Sequence, residues 1–201
     1  MGYTHYWYFK NHVGSNLDKI AEAVKRMREL YEEAGFKLCG PDGTGEPIIT
    51  SEEIAFNGDR NCRHPKMEHG IQWPERDAMG IAPYWEDAAQ GEWFAGSTLK
   101  SRQCNGDCSH ESFWIPRRFE DGYLVDGKYF GACKTAFKPY DIIVCATLVV
   151  IKILMRDSVD IHTDGEREQW LDAIPLATYA GYEVSNIKIE NGIVGIVNPS
   201  M

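Results

Sequence analysis

The sequence predicts an α+β domain with a mostly antiparallel sheet, a buried central helix, two amphipathic helices and a C-terminal β-hairpin. Three observations carry that expectation. Residues 142–155, IIVCATLVVIKILM, are apolar almost all round, as a helix enclosed on every side must be. Leu17, Ile20, Ala21, Val24, Met27, Leu30 and Tyr31 recur at helical spacing, which marks a helix with one apolar stripe. The tail EVSNIKIENGIVGIVN alternates apolar and polar residues about Asn191-Gly192, a strong signal for a two-residue hairpin turn. Helices and strands mix without a regular βαβ repeat, so an antiparallel sheet is expected.

The elements follow in order. Residues 3–9, YTHYWYF, are β-branched or aromatic nearly throughout and predict a first strand with His5 and Trp7 on one face and Tyr6 and Tyr8 on the other. A strand rich on both faces belongs in the middle of a sheet. Ser15 to Asp18 resembles a capping box opening the first amphipathic helix, which Gly35 ends. FKLCGPDGTGEPIIT then gives two short strands about a glycine-rich turn, followed by a strand over 54–59. From about 60 to 109 the periodicity fails, although Pro65, Pro74 and Pro83 and several aromatics lie there. A long ordered excursion within a single domain spanning 1–201 is expected here, because so aromatic a stretch is unlike disorder. Strands are expected over 111–117 and in a pair over 123–135 turning at Asp126-Gly127. Pro139 sits at the first turn of the central helix, where its missing N–H costs nothing. A strand over 159–162 precedes a helix capped by Asp164, shortened or kinked by Pro175 and closed by Gly181.

Composition excludes some functions. The 201 residues include 30 acidic against 21 basic side chains, a formal charge of -9, which repels nucleic-acid backbone and anionic membrane alike. Non-specific nucleic-acid binding is therefore not expected, nor is a membrane partner: the apolar run, with Lys152 inside it, is too short to cross a bilayer. The N-terminal residues lack a signal-peptide pattern, so a cytoplasmic location is expected. Six cysteines in such a chain favour reduced thiols or metal over a disulfide framework.

Several constellations could carry chemistry. In CKTAFKPYD, residues 133–141, Lys134 and Lys138 flank a helix entrance whose N–H groups and dipole favour an anion. The same residues also fit a plain entrance in which Asp141 caps the helix and Tyr140 packs. His110-Glu111 opens a strand and could supply a general base, although neighbours on a strand face opposite ways, and a His bonded to backbone fits equally. Gly40 to Gly45, with Asp42, can bring backbone close to a ligand, or be a tight turn, and matches neither a P-loop nor a dinucleotide fingerprint. Asn57 and Asp164 stand at polar strand ends. Cys62, His64, Cys104 and Cys108 offer soft ligands for a structural zinc, provided the two halves meet in space. Tyr3, Tyr6, Trp7, Trp73, Tyr84, Trp85, Trp93 and Trp114 exceed what a core of this size needs, and those near the lysines could stack on a flat ring.

GYTHYW (2–7), GPDGTG (40–45), FNG (56–58), HESF (110–113), CKTAFKPYD (133–141) and TDG (163–165) resemble an uncharacterised family of small bacteriophage and bacterial proteins, with TDG in place of SDG. The resemblance implies a phage or bacterial origin, with the host cytoplasm as location if phage-encoded, and brings no activity with it. Polar segments from six distant places are most simply one pocket. Its expected lining is His5, Asp42, Asn57, His110, Lys134, Lys138, Tyr140, Asp141 and Asp164, and its expected ligand a small phosphorylated, nucleotide-like molecule, with no cofactor required. The first reading is sequestration of a host nucleotide signal. The second is a hydrolase or phosphodiesterase with His110 as general base and Glu111 beside it, and the third a protein-interaction module.

Overall fold

The computed structural model describes residues 3–63, 68–69, 102–104, 106–120 and 123–197. Its elements in chain order are β1 (Thr4–Phe9), α1 (Asn16–Glu33), β2 (Leu38–Cys39), β3 (Ile48–Ile49), β4 (Glu53–Gly58), β5 (Glu68–His69), β6 (Arg102–Gln103), β7 (Phe113–Pro116), β8 (Leu124–Val125) and β9 (Lys128–Lys134). There follow α2 (Asp141–Met155), β10 (Val159–Thr163), α3 (Arg167–Trp170), α4 (Ala173–Tyr179), β11 (Ile187–Glu190) and β12 (Ile193–Ile196). The main sheet runs β11-β12-β10-β1-β9-β8. A smaller sheet gathers β2, β3 and β7 around β4, and β5 pairs with β6. The pairings are antiparallel, and the architecture is α+β as the sequence predicts.

β1 is an interior strand of the main sheet, and its burial alternates strictly: His5, Trp7 and Phe9 are buried, while Thr4, Tyr6 and Tyr8 are half-buried on the other face. Trp7 lies across Gly131, its cross-strand partner; a Cβ there would meet Trp7 Nε1 at 2.2 Å. Helix α2 is buried continuously from Asp141 through Lys152 and packs against α1, α4 and β10. Lys152 is tolerated inside because its ammonium donates to the carbonyls of Arg156 and Val159, at 3.0 and 2.8 Å, where the helix ends, an end that favours a cation. Among the described residues no helix is long and apolar enough to cross a membrane.

Three local expectations change. Ser15 makes no side-chain cap bond, and Asp18 instead forms an ion pair with Arg117 at 3.0 Å. The helix expected from Asp164 to Ala180 is broken in two, opened by a capping box between Glu166 and Gln169, and Asp164 accepts from Thr4 N–H instead. The break follows from Pro175, which falls in the first turn of α4, where its missing N–H has no intrahelical acceptor to lose. The hairpin turns stand where the sequence puts them, with Asp126, Gly127, Asn191 and Gly192 all at positive φ, the geometry of a twisted two-residue turn. Most of the 60–109 excursion lies outside the described residues.

Candidate functional site

The helix entrance begins where β9 ends. Beyond Lys134 the chain turns through Ala136 and Phe137, both at positive φ (50° and 58°). A bulky aromatic in that region is strained, and such residues persist only where their surroundings hold them. Here Ala136 N–H donates to the Tyr3 carbonyl at 3.2 Å, the Phe137 ring meets Tyr3 edge-on, and the Arg102 guanidinium lies 4.0 Å above it.

Helix α2 opens at Asp141, preceded by Tyr140 without a side-chain cap bond. The Asp141 carboxylate is fully buried; His5 Nε2 lies 2.8 Å away, the Thr135 hydroxyl donates at 2.6 Å and Arg102 approaches to 3.4 Å. Burial alone would raise this carboxyl, but His5, Arg102 and Thr135 more than offset it, and the group is held below its ordinary value. His5 Nδ1 in turn lies 2.9 Å from Thr163 Oγ1, which also accepts from Gly165 N–H. Arg102 extends the network by donating to the Gln169 carbonyl at 2.9 Å and pairing with the buried Asp172 at 3.5 Å. The negative charge that meets the positive end of this helix is thus the chain's own carboxylate. Arg102 and Asp172 were not singled out in the sequence, because neither sits in a motif and Arg102 lies in the stretch without periodicity.

Lys138 is engaged within the protein. Its ammonium donates to the carbonyls of Cys104 and Asp107 at 3.0 and 2.5 Å, tying the cysteine loop to the helix entrance. Lys134 is different: its N–H donates to the Glu111 carboxylate at 2.7 Å, and its side chain, opposite Thr4 on β1, belongs to the outer sheet face.

The other polar segments converge beside this turn. Asn57 donates to the carbonyls of Pro41 and His110 at 3.1 and 2.9 Å and accepts from His110 N–H, while Ser112 also donates to the Pro41 carbonyl. Tyr140 donates its hydroxyl to the Glu111 carbonyl, and Cys133 sits against the same oxygen at 3.3 Å; burial pushes both groups' pKa values up. Asn57, Tyr140, His5 and Asp141 are therefore buried ties, whereas Asp42, His110, Glu111 and Asp164 are exposed around them.

The outer sheet face carries Tyr6, Tyr8 and Phe130, with Ala132 small beside Tyr6. Tyr8 meets Phe130 at 5.1 Å and His162 at 5.8 Å between ring centres. Next to them lies a half-open hollow of about 330 Å³ lined by Tyr8, Val125, Asp126, Lys128, Asp160 and His162. Lys128 bonds Asp160 at 2.7 Å and holds its carboxyl below the usual range. Of the other aromatics noted in the sequence, Tyr3 and Trp7 are core and Trp114 donates to Glu53, while Trp73, Tyr84, Trp85 and Trp93 lie outside the described residues.

Cys62, Cys104 and Cys108 do meet in space. Their sulfurs are 3.1 and 3.3 Å apart along the series and lie within 4.8 Å of one another, close enough to hold a metal ion. His64, the fourth expected ligand, lies outside the described residues. Gly58 permits the approach of the Cys108 backbone, since a Cβ on it would sit 2.0 Å from the Cys108 carbonyl oxygen.

No family model, curated protein or solved structure matches the chain.

Proposed function

We propose that the protein binds a small phosphorylated, nucleotide-like ligand on the outer face of its main sheet, with the flat ring over Tyr6 and Tyr8 and the phosphate at Lys134. One observation carries this reading. Half-buried aromatics on β1 and β9 share a face with Lys134, whose N–H is held by the exposed Glu111 carboxylate, and with the exposed Asp164, which meets Thr4 N–H and the Tyr6 hydroxyl. A flat ring stacks on such a platform whatever its hydrogen-bonding edge, and Ala132 leaves room above the sheet. In the first reading the ligand is a host nucleotide signal that the protein sequesters intact. His110 would add turnover as a general base if a phosphodiester lay within its reach. A structural zinc on Cys62, Cys104 and Cys108 would hold in place the loop that precedes His110, outside the ligand's contacts.

Incubation with a panel of cyclic and ADP-ribose-like nucleotides, followed by denaturation and recovery of the ligand, tests this. Intact ligand supports sequestration, and converted ligand supports the phosphodiesterase. No thermal shift with any nucleotide overturns both. The exposed Tyr123, Leu124 and Val125 at the β8 edge then favour the interaction module, because an open strand edge of apolar residues suits a protein partner.

A further inference from the structure

Two observations stand beside the sulfur distances: a buried, unpartnered phenol and a loop fixed from several directions. The Tyr31 hydroxyl is fully buried and has no hydrogen-bond partner among the described residues, an expensive state for a phenol. Burial chiefly raises its pKa, and the electrostatic influence of Cys108, Cys104, Cys39 and Cys62 adds to the shift.

The surrounding loop is fixed from several directions. Cys108 N–H donates to the Asp59 carbonyl at 2.9 Å, Asp107 N–H to the Cys104 carbonyl at 3.0 Å, and Lys138 holds two carbonyls of the same turn. Two residues before Cys104 stands Arg102, between Asp141 and Asp172, and three residues after Lys138 stands Asp141 itself.

We propose that Cys62, Cys104 and Cys108 bind one zinc ion as thiolates and that this ion holds Arg102 in the buried network of Asp141 and Asp172. The proposal rests on the structural-zinc reading and adds to it the coordination and the coupling. On binding, the thiols lose their three protons to solvent, and the centre carries a net charge of -1, which the nearby Lys138 ammonium offsets. Zinc–sulfur bonds of ~2.3 Å at tetrahedral angles place sulfurs about 3.8 Å apart. The thiols at 3.1 and 3.3 Å therefore spread by roughly half an ångström to admit the ion, leaving its fourth position for water or one further ligand.

The test uses the purified full chain. Elemental analysis should find one zinc per chain, and titration with a mercurial should release it as three thiols react. Cobalt substituted for zinc should give a sulfur-to-metal charge-transfer band that Cys104→Ser and Cys108→Ser lose and Cys39→Ser keeps. Hydrogen exchange with and without chelator then reads the coupling: amide protection should fall at least tenfold both at Cys108 and in the first turn of α2. Absence of metal, or a disulfide among these thiols in its place, overturns the zinc reading and the proposal together. Metal present, with α2 protection unchanged by chelation, overturns the coupling alone.

Discussion

His5 Nε2 and Asp141 Oδ1 lie 2.8 Å apart, and both side chains are fully buried. This contact joins the central strand to the entrance of the central helix, and it stands inside a larger set of charges that includes Arg102 and Asp172. Removing one member of a buried pair leaves the other without compensation, a loss of ~3–5 kcal/mol. Asp141→Asn should therefore lower stability by about that amount in urea unfolding, and replacement of His5 by Ala should do so comparably. The acid limb gives an independent check. The Asp141 carboxyl is held below its ordinary value, so its contribution is complete above the unfolded carboxylate pKa of about 4 and is lost as pH falls through the lower folded value. Wild-type stability should decline with acidification below about pH 4, and the decline should be shallower in the Asn variant.

The two lysines of the same segment should separate. Lys138 donates to the Cys104 and Asp107 carbonyls, so Lys138→Ala should cost ~1.5–3 kcal/mol of stability, the range for hydrogen bonds to a charged group. Lys134→Ala should leave the melting temperature almost unchanged and weaken nucleotide binding by roughly 10- to 100-fold, the loss of one charge-assisted contact. Normal binding by the Lys134 variant would place the phosphate elsewhere.

That contrast also shows what the sequence could tell. Lys134 and Lys138 look alike in CKTAFKPYD, and spacing alone puts both at the helix entrance. Strand alternation sends Lys134 to the outer face, whereas the turn through Ala136 and Phe137 sends Lys138 toward the cysteine loop, and nothing local announces a positive φ at a phenylalanine. The faces of β1, the buried α2 and the hairpin at Asn191-Gly192 were legible because each rests on a period or a turn residue. Arg102 was not, because a buried arginine is recognisable only from partners that lie 39 and 70 positions away, here Asp141 and Asp172.

Close backbone approaches give a third prediction. A Cβ on Gly58 would overlap the Cys108 carbonyl oxygen at 2.0 Å, and that oxygen is main chain and has nowhere to swing. Gly58→Ala should therefore displace Cys108, lowering stability by ~1–3 kcal/mol and zinc content together. Gly131→Ala meets Trp7 Nε1 at 2.2 Å and should cost a similar amount in stability while leaving the zinc content unchanged, which metal analysis of the two variants can compare directly.

The aromatic platform supplies the last. Tyr6 is half-buried on the outer face, and among the described residues its hydroxyl reaches a long 3.5 Å contact to Asp164, so its removal should disturb the core little. Stacking of a base on an aromatic side chain is worth ~1–3 kcal/mol by alanine substitution. Tyr6→Ala should thus weaken nucleotide binding by about 5- to 150-fold, and Tyr6→Phe should retain nearly all of it, since the ring and not the hydroxyl carries the contact. Isothermal titration of both variants decides the matter. Equal losses in the two would mean that the Tyr6 hydroxyl, through Asp164, orders the site, and a loss in neither would move the ring off this face of the sheet.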